Sequence, residues 1–348
     1  METLTIPEVK QSAAAAPVSA EVRVQVESVQ VKPTKSGGEF LELKLADAED
    51  GFTMRVWSDA AGYGPARELK IHSFIAVCGE WAVNQYGLEP RGWKLRALDE
   101  DECATLLGGP PALREKQAAD FADLTTYIDG VGDPRLRALG QMFLREFGER
   151  LKRTGAAREY HHARRGGLVE HTAQMMRCAN AICGVYPAVN RDLVVTGVLF
   201  HDCGKLWENC YAESGFTMPY NEHGELMGHI PLGIELVNKL WRRLIESDEA
   251  AGWLMLEPAS EEVRLHLLHL IGSHHGEYQF GSPVLPKTPE AIVLHHVDNI
   301  DAKLEMMFTT YATSPLLGRN IYERQRPLPV NLVRPLDHFE PLPEPAQE

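Results

Sequence analysis

The 348-residue sequence contains no CxxC pair, and its six cysteines are scattered singly. That points to a reduced, cytoplasmic compartment, with the cysteines serving as small apolar residues. No apolar run approaches the ~20 residues needed to span a bilayer; even Val194–Phe200 is far too short. The N-terminus lacks a basic segment followed by an apolar one, so no secretory leader is expected. An excess of positive charge is also missing. Lys and Arg number 35 against 49 Asp and Glu, a net charge of −14. Binding to duplex nucleic acid through overall charge is therefore excluded, although local basic grooves are not.

Hydrophobic residues make up 44% and charged residues 24%, the mix of a folded globular chain. At ~150 residues per domain, the length implies about two domains. Residues 1–20, with an alanine run at Ala13–Ala16, show no amphipathic period and are expected to form a flexible arm. From Glu21, Val22, Val24 and Val26 alternate with polar residues. Four further short strands follow, around Phe40–Leu45, Phe52–Val56, Phe74–Val77 and Trp93–Arg96, with one helix near Ala60–Leu69. Five strands separated by Gly and Asp turns predict a small barrel of the OB type over 21–107.

Gly108-Gly109-Pro110-Pro111 marks a linker. Beyond it apolar residues recur at helical spacing, so 113–312 is read as an all-α domain. A proline-rich tail over 313–348 is expected to wrap the surface or lack order.

Every histidine except His72 and His338 falls between His161 and His296. The sharpest signal is His201-Asp202, which ends the apolar helix Leu193–Phe200. Two ionisable groups after a buried helix are costly unless something pairs with them, and a divalent metal is the simplest partner. Further candidates are His171, His229, His274-His275 and Asp298, imidazoles and carboxylates that suit Mn, Fe, Zn or Ni. His171 continues the stripe Met175, Cys178, Ile182, and Asp298 continues Leu294, so both are expected to face a packed interior. His266 and His269, without carboxylate company, are read as structural.

The order His171, His201-Asp202, Asp298 resembles the HD superfamily of metal-dependent phosphohydrolases. The strings His161-His162-Ala163-Arg164-Arg165-Gly166-Gly167-Leu168-Val169-Glu170-His171-Thr172, Ser273-His274-His275-Gly276-Glu277 and Leu294–Lys303 are similar to the YhaM family of 3′-to-5′ exoribonucleases, which join an OB-fold to an HD domain. The resemblance covers about residues 20–310, and is weaker in the barrel. It implies one metal held by His171, His201, Asp202 and Asp298, with Asp202 bridging to a second held by His229, His274 and His275. Manganese is the metal of choice, with Fe, Ni, Co or Mg as substitutes. His201-Asp202-Cys203-Gly204-Lys205 is similar to the family's HDxGK motif and places Lys205 beside the scissile phosphate. The implied reaction is hydrolysis of single-stranded RNA, with DNA as a further polymer, by a two-metal-activated hydroxide. No membrane partner is implied, and a homo-oligomer is compatible with the sequence.

Substrate contacts are expected from His162, Arg164 and Arg165, because residues 145–165 carry seven basic against three acidic side chains. In the barrel, Trp81 and Tyr86 are the expected base-stacking residues. Other aromatics there, Trp57 and Phe74 foremost, are assigned to the core. The barrel's ten basic and eleven acidic residues over 20–98 favour an alternative. In that alternative the HD site hydrolyses a small nucleotide or cyclic dinucleotide, and the barrel is an interaction module. A third alternative is a non-enzymatic, metal-stabilised nucleic-acid adaptor.

Overall fold

The computed structural model describes residues 1–34, 37–84, 87–253 and 255–338. Its N-terminal part contains β1 (Glu2–Leu4), α1 (Ile6–Ala15), β2 (Val18–Pro33), β3 (Glu39–Ala46), β4 (Gly51–Trp57), α2 (Tyr63–Arg67), β5 (Phe74–Asn84) and β6 (Gly87–Ala97). The sixteen-residue β2 pairs antiparallel with β5 over Val18–Gln25 and with β3 over Gln25–Pro33. A register shift between Val26 and Ser28 turns it from one partner towards the other. The sheet order is β4-β3-β2-β5-β6, and β4 and β6 approach each other as the sheet curls into a partly open barrel. Inward-facing Val22, Val24, Leu41, Leu43, Met54, Val56, Ile75 and Val77 fill it.

Strand alternation corrects two expectations. Trp81 shares the inward face of β5 with Ile75 and Val77 and is fully buried, its indole N–H donating to the Ala20 carbonyl at 3.0 Å. A ring enclosed in this way cannot stack on a base. Trp57, one residue past inward-facing Val56, points outward instead of into the core and packs on Phe40. Tyr86 lies outside the described residues.

The expected flexible arm is folded. β1 pairs in parallel with β2. Thr5 and Glu8 form a capping box that starts α1, and Ile6 and Val9 are fully buried against the barrel. The Ile6 N–H donates to Asp47 at 2.6 Å. The helix expected over Ala60–Leu69 is present in shorter form as α2.

The remainder is helical: α3 (Glu100–Gly108), α4 (Pro111–Asp129), α5 (Pro134–Leu151), α6 (Gly167–Val185), α7 (Arg191–Phe200), α8 (Lys205–Glu208), α9 (Glu222–Met227), α10 (His229–Ile245), α11 (Ser260–Ser273) and α12 (Pro289–Thr313). Every residue of α7 from Leu193 to Phe200 is buried, and α5, α6, α11 and α12 pack around it. A helix apolar on all sides has to sit at the centre of its domain. The barrel docks on the 210–218 loop. Gln25, itself buried, donates to the Ser214 carbonyl and accepts from the Phe216 N–H, while Phe74 meets Phe216 edge-on. After α12 the tail folds back: Tyr311 donates to the Val333 carbonyl and its ring meets Tyr322 edge-on. No helix among the described residues is long and apolar enough to cross a membrane.

Because Ile6 is fully buried, Ile6→Ala is expected to destabilise the barrel by about 3 kcal/mol. A urea titration checks this; an unchanged midpoint would be the behaviour of a loose arm.

Candidate metal centre

Five helices deliver the candidate ligands to one point. His171 lies in the second turn of α6. His201 and Asp202 follow the last residue of α7, and Lys205 opens α8. His229 opens α10, His274 and His275 follow α11, and Asp298 lies on α12. Gly204 allows this convergence, because a Cβ there would overlap the carbonyl oxygen of His229.

The imidazoles share one orientation. His201 and His274 donate Nδ1–H to the carbonyls of Val198 and Ile271, each at 2.8 Å. His275 Nδ1 meets the Phe280 carbonyl at 2.6 Å. His171 Nδ1 meets Asp301 at 2.7 Å and His229 Nδ1 meets Glu208 at 3.0 Å. With Nδ1 engaged, every Nε2 is left facing the centre as a lone-pair donor, the arrangement in which protein histidines bind metals.

The Nε2 atoms fall into two sets around Asp202. The Nε2 atoms of His171 and His201 are 3.3 Å apart, with Asp202 Oδ2 at 3.2 Å from His201 and Asp298 Oδ1 at 3.4 Å from His171. The Nε2 atoms of His229 and His275 are also 3.3 Å apart. Asp202 Oδ1 lies 3.5 Å from His229 and 3.6 Å from His274. Both His171–His201–Asp202 and His229–His274–His275 are grouped closely enough to hold an ion. Asp202 Oδ1 and His274 Nε2 are buried without a hydrogen-bond partner. Orphaned groups of this kind are expensive, and a cation between them would remove the cost.

Electrostatics reinforce this arrangement. Burial opposes ionisation of Asp202, but Lys205, at 2.6 Å, and His201 hold its carboxyl well below the usual range. Asp298 and Asp301 are likewise depressed against burial, chiefly by His171 for the first and by His162 and His171 for the second. Burial disfavours a charged His171, yet Asp298 and Asp301 raise its pKa to about 9; its Nε2 then carries a proton towards Asp298, and a cation bound there would have to replace it. Burial pushes His274 and His275 down, which favours the neutral ligand form.

Of the expected substrate contacts, three are committed elsewhere. His162 is buried and meets Asp301 at 3.0 Å, so it supports the partner of His171 rather than facing solvent. Arg164 donates twice to Glu170 and also pairs with Glu305. Arg165 donates to the carbonyls of Ala212, Glu213 and Gly215. Basic residues close in sequence to His171 were thus recruited to hold its helix and the docking loop.

Other residues that shape the site are not among the expected ligands or contacts. Asp301 lies one turn after Asp298 on the same helix face, and Glu208 lies one turn after Lys205; that spacing was the available signal. His161 faces the centre, its ring centroid 5.6 Å from that of His171, and burial together with Lys205 lowers its pKa to about 3, keeping it neutral. Tyr278 and Phe280, exposed, follow His275, and the Phe280 carbonyl is the one that orients that histidine.

Comparison with known proteins accords with this geometry. Residues 168–303 match the HD domain family. The chain is 32% identical over 288 residues to the 3′-5′ exoribonuclease YhaM of Listeria monocytogenes, covering 80% of this chain and 83% of that one. It is 32% identical to the YhaM of Oceanobacillus iheyensis, over 79% of this chain and 81% of that one. It is 29% identical to that of a Geobacillus species, over 82% and 83%. The chain belongs to the YhaM family. The barrel followed by an HD helical domain is the architecture expected of that family from the motifs.

Buried Glu170 accepts from Arg164, Gln117 and Lys116, and these bonds overcome burial to lower its pKa to about 2. Glu170→Gln is expected to cost about 3 kcal/mol at pH 7, since it removes the buried carboxylate that Arg164 and Lys116 share and leaves Arg164 only Glu305. The folded pKa lies below the ordinary 4.5, so this contribution is complete above pH 4.5 and is lost as the pH falls towards 2. Chemical denaturation of both proteins across that window checks it; a constant difference would contradict the assignment.

Proposed function

We propose that this protein is a cytoplasmic, metal-dependent 3′-to-5′ exoribonuclease that removes nucleotides from single-stranded RNA using two divalent cations, manganese by preference. The observation that carries this reading is the position of Asp202, with one carboxylate oxygen towards each of two histidine sets. The relatives' activity as 3′-5′ exoribonucleases points the same way, and the six cysteines are all free, as in a reducing compartment. His171, His201, Asp202 and Asp298 would hold one cation. Asp202, His229, His274 and His275 would hold the other. Bound there, the cations supply Lewis acidity at the phosphoryl group and lower the pKa of a water nucleophile.

The chain's own residues do the rest. Lys205 sits in the pocket with its ammonium on Asp202, and it offers positive charge to phosphoryl oxygens as negative charge grows on them. His161, held neutral, can accept or donate a hydrogen bond at the mouth without repelling cations. Asp301 and Glu208 fix the rings of His171 and His229, so that reacting atoms meet a preorganised frame. With Trp81 enclosed in the barrel, base stacking falls to Tyr278 and Phe280, whose exposed rings follow His275.

The test is incubation of manganese-loaded protein with a 5′-labelled single-stranded RNA of about 20 nucleotides, beside a cyclic dinucleotide. A ladder shortening from the 3′ end is expected, and Asp202→Asn should lose at least 100-fold of the rate, as for removal of a main charge-stabilising group. Intact RNA with a hydrolysed dinucleotide would overturn the reading.

A further inference from the structure

A groove separate from the metal centre opens where the barrel meets the helical domain. Its volume is about 470 Å³, within the range of ligand sites. Val169 lines it while His171, two residues on, turns to the opposite side of α6. We propose that this groove binds the phosphodiester backbone of single-stranded RNA upstream of the end being removed, an inference that rests on the exoribonuclease reading.

Charge carries the argument. Arg114, Lys152, Arg153 and Arg165 line the groove against one acid, Glu149, in a chain whose net charge is −14. Arg114 is exposed and has no carboxylate partner among the described residues. Arg165 is anchored by backbone carbonyls, with no carboxylate among its hydrogen-bond acceptors, so it adds positive charge to the groove without itself being free to move. Burial and the neighbouring Arg153 charge push its pKa down. Lys152 pairs with Glu149 and Arg153 with Glu213, but both acids are 87% exposed, and such pairs are weak and readily exchanged for phosphate.

The lining also distinguishes polymer from mononucleotide. Gln117, the amide of the groove, is committed to the Arg165 carbonyl and to Glu170. The Phe121 face is covered by the Lys152 ammonium at 4.3 Å. Neither a base-edge reader nor a free stacking face is left, while long exposed cations suit point contacts along a flexible polyanion. Its partner is therefore a backbone, read without sequence preference.

The experiment measures binding of a labelled single-stranded RNA of about 20 nucleotides by Asp202→Asn protein, in which the RNA stays intact, across a salt series. Arg114→Gln with Lys152→Gln should weaken binding about tenfold and lower the slope of log K against log salt by about 1.4, at ~0.7 per phosphate contact. Arg114→Lys with Lys152→Arg should keep the slope. An unchanged slope in the Gln pair would overturn the proposal, as would a mononucleotide whose salt-insensitive binding that pair abolishes. Degradation tests the exoribonuclease reading and binding tests this one, so either can fail alone.

Discussion

The helical domain depends on one buried carboxylate. Asp202 lies at the end of α7, the helix enclosed by α5, α6, α11 and α12, where an isolated negative charge would be strongly disfavoured. Its ionisation is sustained by Lys205, by the adjacent His201 and by His274 arriving from α11, with His229 of α10 at 3.5 Å. The segments that carry the ligands are held apart in sequence; α6, α11 and α12 come together on α7, and α10 is seated on α11 and α5. Apolar packing and site assembly are therefore the same event.

Around that carboxylate the charges form shells of alternating function. Nε2 atoms face inward, and each Nδ1 is anchored outward on a carbonyl or an acid. Asp301 links His171 to His162, Glu208 anchors His229, and Arg164 with Glu170 secures the helix that carries His171. The outer layer spends basic residues on structure, which leaves Lys205 as the cation beside the centre. The barrel attaches through Gln25 and Phe74 to the loop that Arg165 also holds, so barrel and helix α6 share one mechanical connection.

The sequence was most legible where burial and charge collide. An apolar helix ending in His201-Asp202 announces a site, and strand alternation announces the barrel. The same alternation, followed to single residues, places Trp81 inside beyond Val77 and Trp57 outside beyond Val56. The N-terminal helix escaped notice because its buried face consists of little more than Ile6 and Val9, diluted by an alanine run; its stability comes from the barrel surface and Asp47. Arg164 and Arg165 could not be assigned from local charge, since their partners lie between 6 and 141 residues away. Long-range pairing of this kind is invisible to composition.

The central claim is that Asp202 stands between two cation sites, not at the edge of one. Metal content per chain tests it most directly, measured by atomic emission on protein equilibrated with manganese and freed of loose ions. Two equivalents are expected for the native chain, and one for His229→Ala combined with His275→Ala, which strips only the second histidine set. One equivalent in the native chain, unchanged in the double variant, would contradict the account.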